Sequence, residues 1–107
     1  MIPRGTTPTI QYKMKSILPS DMVVCYLTIK TEKCGTVILE RDISTAEIDD
    51  TDKTLEWKLT QDETLKIPNN NRDILLLQIR YRLQDGTVGE SPIAREYGST
   101  ILKDGVI

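Results

Sequence analysis

Histidine and phenylalanine are both missing from the 107 residues of this chain. The lack of histidine removes the commonest general base, the usual nucleophile–histidine pairs and most zinc sites. Only two cysteines are present, Cys25 and Cys34, too few for a zinc knuckle or ribbon. The six glycines stand singly at turn positions, so no loop is built to cradle phosphate. Ser91 and Ser99 lie outside any nucleophile-elbow context. No apolar run approaches the ~20 residues that span a bilayer. The opening MIPRGTTPTI has no hydrophobic core of a signal peptide, so synthesis in the cytosol is expected. A basic excess is also lacking: 14 Lys and Arg against 16 Asp and Glu leave a net charge of -2 and no general attraction to nucleic acid. These absences argue against an enzyme, a cofactor, a resident metal, a membrane partner or a small-molecule ligand.

Alternating apolarity is what the chain does have. In residues 73–87, DILLLQIRYRLQDGT, Leu75, Leu77, Ile79, Tyr81 and Leu83 share one parity, and Gln78, Arg80, Arg82 and Gln84 share the other. Side chains alternate faces along a strand, so this run presents one apolar and one basic, polar face. Asp85-Gly86 then predicts a tight hairpin turn with positive φ at both residues.

Similar runs recur along the chain. Residues 9–15 set Ile10, Tyr12 and Met14 against Gln11, Lys13 and Lys15. In residues 22–32, Val23, Cys25, Leu27 and Ile29 are expected inward, with Thr28 and Lys30 outward. Lys33-Cys34-Gly35 reads as a hairpin tip leading into residues 36–43, where Val37, Leu39 and Ile43 are candidate core positions. Residues 54–60 place Leu55, Trp57 and Leu59 inside, and a last extended segment should run through Ile93 and Arg95 toward Ser99. Thr60 and Glu63 have capping-box spacing, predicting a helical turn near residues 61–65 that lets Leu65 and Ile67 plug one end of the core.

A charged fraction of 28% and an apolar fraction of 38% are those of a globular chain. The expected fold is all-β: one immunoglobulin-like antiparallel sandwich of six to eight strands over residues 1–107, with extended terminal arms. A strand from Cys25 to Cys34 would hold them roughly 30 Å apart, so no disulfide is expected. Cys25 reads as a buried hydrophobe and Cys34 as an exposed thiol.

Three groups carry competing readings. Asp49, Asp50 and Asp52 could hold calcium, but the turn glycine and distal glutamate of an EF-hand loop are lacking, and a solvated loop is the simpler reading. Trp57 with Tyr26, Tyr81 and Tyr97 could form a sugar-binding platform, the basis of an alternative host-surface or carbohydrate-binding role. Its apolar parity favours the core instead. Arg80 and Arg82, with Lys58 expected on the same sheet face, form either a partner-binding patch or an ordinary solvated sheet face. At the ends, Thr6, Thr7 and Pro8, and Ile101, Val106 and Ile107, belong to extended arms that can complete a sheet edge in the same chain or in a neighbour.

The opening RGTTPT, the LTQDETL of residues 59–65, the QIRYRLQDGT of residues 78–87 and the closing ILKDGVI resemble a family of short prophage proteins of Gram-positive bacteria. The resemblance covers nearly the whole chain and keeps the motifs in order. It implies a noncatalytic phage structural protein of the tail or baseplate, carried in the virion, that binds other phage structural proteins or itself. No catalytic residue comes with it. A second likeness, in size and β-rich pattern, is to the small N-terminal β domain of phage upper-baseplate proteins.

Overall fold

The computed structural model describes residues 2–68, 74–99 and 105–107. Nine strands are found among them: β1 Ile2–Pro3, β2 Thr9–Lys13, β3 Met22–Thr31, β4 Val37–Asp42, β5 Glu47–Asp49, β6 Thr54–Lys58, β7 Ile74–Leu83, β8 Val88–Glu90 and β9 Ala94–Ser99. One helical turn, α1 Gln61–Thr64, separates β6 from β7, and short 3-10 turns cover Pro19–Asp21 and Ile43–Thr45. Six strands are five residues or longer; β1, β5 and β8 are short edge pieces.

Two sheets enclose one core. The larger runs β1-β9-β7-β3-β4 with β8 also on β7, and the smaller runs β2-β6-β5. This is the immunoglobulin arrangement of a B-E-D sheet against a G-F-C-C′ sheet. All pairs are antiparallel except β1 with β9. Between the sheets Leu55, Trp57 and Leu59 of the β6 region meet Cys25, Leu27 and Ile29 of β3 and Leu75, Leu77 and Ile79 of β7, all buried. Trp57 is fully enclosed, and its Nε1 donates to the Asp42 carbonyl at 2.9 Å, which satisfies the one polar atom it brings inside. Both cysteines are free, Cys25 buried and Cys34 exposed.

The expected parity fails where the ladder slips. Between Met22 and Val24 the β3–β7 register shifts, so Met22 turns inward and Val23 is 51% exposed. Between Ile29 and Lys30 the β3–β4 register shifts, Ile29 pairing with Leu39 and Lys30 with Val37. Ile38 is thereby the extra residue; it and Leu39 are both buried, and Val37 is 50% exposed. The inward assignments of Val23 and Val37 are therefore corrected.

β8 and β9 are two halves of one strand. Partners of β8 on β7 sum to 170 (Arg80 with Glu90) and those of β9 to 171 (Ile74 with Tyr97), so one residue is inserted between them. Ser91-Pro92-Ile93 holds that bulge. Ser91 Oγ accepts from Ile79 N at 3.1 Å and Ser91 N donates to Ile79 O at 3.0 Å, which keeps the ladder satisfied beside a proline with no N–H. The β7–β8 connection also departs from the expected two-residue turn. Gly86 alone takes positive φ, at 89°, and Gly86 N donates to Leu83 O at 3.0 Å while Leu83 N donates to Thr87 O at 2.8 Å. Gln84-Asp85-Gly86 is thus a three-residue loop, with glycine at its left-handed position. Opposite Tyr81 sits Gly89, where any Cβ would lie 2.5 Å from the phenol oxygen; the ring occupies the space that glycine leaves.

The α1 corner closes the sandwich as the capping-box spacing predicts. Thr60 Oγ1 accepts from Glu63 N at 3.2 Å, and Glu63 Oε1 accepts from Thr60 N at 2.9 Å. Ile67 and Thr64 are buried, Leu65 only partly.

Candidate functional site

Because Leu75, Leu77 and Ile79 of β7 are buried in the core, with Tyr81 and Leu83 packed against it, Gln78, Arg80 and Arg82 project from the opposite, outer side of the larger sheet. Cross-strand register then fixes their neighbours. Arg82 lies between Val24 and Val88, Arg80 between Tyr26 and Glu90, and Lys30 between Leu76 and Val37. Apart from Glu90 and Leu76, these residues line a shallow concavity of about 540 Å³, completed by Thr28, Gln78, Tyr81 and Glu40. Tyr26, Val37 and Val88 stay 44%, 50% and 59% exposed. Arg80, Arg82 and Lys30 make no hydrogen bond or ion pair among the described residues. Further along the same sheet Arg95 pairs with Glu32 at 2.7 Å.

The arrangement is an exposed surface of mixed basic and apolar character. It offers guanidinium forks, which match carboxylates in bidentate geometry, beside exposed valine and tyrosine. Arg80 and Arg82 follow from the alternation within β7, but Lys58 does not join them, because its strand β6 belongs to the smaller sheet. Tyr26, Val24, Lys30, Val37 and Val88 join them only through the pairing of four strands, and the outward parity of Thr28 and Lys30 on β3 was the one local signal for that.

The terminal candidates are placed differently. Ile2–Pro3 pairs with β9, and Arg4 donates to the carbonyls of Leu65 and Ile67. Thr6 Oγ1 donates to Pro3 O at 2.7 Å, Thr6 O accepts from Thr64 Oγ1 at 2.7 Å, and Pro8 O accepts from Leu59 N at 2.8 Å. The opening segment therefore completes this chain's own sheet edge; only Thr7 and Thr9 in it are exposed. Ile101 lies outside the described residues. Val106 and Ile107 are exposed, and the Ile107 backbone is held by the side-chain amide of Gln61, with N–O distances of 2.8 and 3.2 Å.

Asp49 and Asp50 spend their oxygens on backbone. Asp49 Oδ1 accepts from Thr51 N and Asp52 N, and Asp50 Oδ1 from Ser20 N. Among the described residues no three His, Cys, Asp or Glu side chains are placed to hold a metal ion. The aromatic side chains do not form one platform either. Trp57 is enclosed, and Tyr97 lies opposite Ile74 while Tyr26 lies opposite Arg80, six residues or roughly 20 Å apart along β7.

Titration is perturbed mainly inside. Burial pushes the Cys25 thiol up to about 11. Burial also raises the Tyr12 phenol, against the opposing hydrogen bond to Ser91 and with a smaller push from Cys25. At the hairpin, the Thr87 N–H holds the Asp85 carboxyl below its ordinary value.

No helix is long and apolar enough to cross a membrane among the described residues. No family model, curated protein or solved structure matches the chain.

Proposed function

We propose that this chain is a noncatalytic structural protein of a phage or prophage, a tail- or baseplate-associated building block that works by protein–protein contact. The observation that carries the reading is the outer face of the larger sheet. Exposed Tyr26, Val37 and Val88 surround Arg80 and Arg82, whose guanidinium groups are left without partners among the described residues. Apolar area next to uncommitted arginine is the composition of a protein interface, where arginine and tyrosine are enriched. The resemblance of RGTTPT, LTQDETL, QIRYRLQDGT and ILKDGVI to short prophage proteins supplies the context. The arms have a smaller part in this reading, because residues 2–8 are engaged within the chain.

Mass spectrometry of particles purified after induction of the phage that carries the gene tests the proposal. The chain should copurify in constant proportion to tail proteins. Its presence in the soluble lysate and absence from intact particles would overturn the reading.

A further inference from the structure

The smaller sheet bears a surface that is the chemical reverse of the groove on the larger one. Glu47 of β5 lies directly opposite Glu56 of β6, with Asp49 one pleat further along. Like charges facing each other across a ladder repel. Gln11 Nε2, 2.7 Å from Glu56 Oε1, is the hydrogen-bond donor that reaches the pair, and neither glutamate makes an ion pair among the described residues. The lysines of the same face, Lys13 and Lys58, make none either. β5 is an edge strand, bonded to β6 alone; Ile48 lies opposite Leu55 on the core side of the ladder, away from Glu47 and Asp49. The result is an acidic ridge along an open sheet edge.

The groove inverts this pattern. Arg82 has a valine on either side, and Lys30 lies beside Val37. Two acids also line or border the groove: Glu90 faces Arg80, and Glu40 faces Thr28. Arg82 and Lys30 are therefore the cations with no acid directly opposite. Ridge and groove lie on the outer faces of opposite sheets, so they cannot reach one another within one chain.

We propose that copies of this chain associate head to tail, the Glu47–Glu56 face of β5–β6 in one copy seating in the Arg80–Arg82 groove of the next. This rests on the assembly reading above and supplies its partner. Two different patches meet, so the contact is heterologous: it closes into a ring or continues as a filament. Each glutamate gains a cation its own chain does not give it, and the contact covers Tyr26 and the exposed valines of the groove.

Light scattering and sedimentation of the full chain, from micromolar to several hundred micromolar, test the contact. The wild type should exceed the 12.1 kDa of one chain and fall back toward it as salt is raised. Arg80→Glu with Arg82→Glu should weaken association at least tenfold, and so should Glu47→Lys with Glu56→Lys; both proteins should retain the emission of an enclosed Trp57 as proof of folding. An equimolar mixture of the two should associate again, because each patch now meets its opposite in the other protein. The chain with all four reversals should associate with itself. A wild type that stays monomeric, reversals without effect, or a mixture that fails to recover would each overturn the head-to-tail contact. If the wild type is monomeric yet present in particles, this contact fails while the assembly reading stands. If oligomers form but the particles lack the chain, the reverse holds.

Discussion

Arginine serves this molecule in two ways, and the α1 corner and the outer face of the larger sheet show the contrast. At the corner, Arg41 Nη1 lies 2.6 Å from Glu63 Oε1, with both side chains less than a fifth exposed, and its Nε donates to Thr45 Oγ1 at 3.0 Å. Glu63 also completes the cap of α1, and Arg4 reaches the carbonyls at the helix end. Groups there answer one another, some within a turn and others from distant parts of the chain. On the outer face Arg80 and Arg82 answer nothing among the described residues, and apolar side chains around them stay in water. Satisfied arginines hold the fold, and unsatisfied ones are available to something else.

The largest expected effect tests how firmly the face is held from beneath. Cys25 is the inward neighbour of Tyr26 on β3, and burial raises its thiol from 9.0 to about 11. Its contribution to stability is complete below pH 9, where thiols of folded and unfolded chains are both protonated. As pH rises from 9 toward 11 the unfolded thiol ionises first, and the folded state loses about 2–3 kcal/mol. Urea unfolding between pH 8 and 11 should show this loss in the wild type and a shallower one in Cys25→Ala, whose difference isolates the thiol from the tyrosines and lysines. Parallel slopes in the two proteins would count against the burial argument.

Next comes the corner itself. Glu63→Ala removes half of the capping box and the Arg41 ion pair together, and should cost about 2 kcal/mol in urea unfolding. Arg41→Ala should cost less, and a double-mutant cycle with Glu63→Ala should return a coupling of about 1 kcal/mol, because the pair is mostly shielded from solvent. Zero coupling would mean that the ion pair does not tie β4 to α1 and that the loss in Glu63→Ala comes from the cap.

The parts of this contrast differed in how visible they were beforehand, for physical reasons. Thr60 and Glu63 are three residues apart, so their capping box is a local pattern, and the alternation of Leu55, Trp57 and Leu59 or of Leu75, Leu77 and Ile79 survives because no bulge interrupts those strands. Val23 and Val37 were misplaced because a register slip depends on the partner strand, which single-strand parity ignores. Arg4 reaches carbonyls 61 and 63 residues away and Arg41 pairs with an acid 22 residues away, separations that no spacing rule reaches. The same limit hid the Glu47–Glu56 opposition, which exists only because β5 folds back on β6. Arg80 and Arg82 were visible as an outward pair, yet their lack of partners is a property of the assembled face.

The smallest expected effect is the sharpest discriminator between the two kinds of arginine. Arg80→Ala with Arg82→Ala removes two exposed cations that make no hydrogen bond or ion pair among the described residues, so dilute-solution stability should change by less than about 0.5 kcal/mol. Repulsion between two cations about two residues apart on one strand is relieved at the same time, which further reduces any loss. Thermal unfolding at a concentration too low for association, read beside Arg41→Ala, makes the comparison direct. A loss on the outer face as large as the loss at the corner would show that Arg80 and Arg82 are part of the fold's own support, and the distinction between committed and available arginines would fall with it. A change near zero leaves their charge and exposed apolar surroundings to be explained by a partner, because nothing within the chain requires two guanidinium groups at those positions.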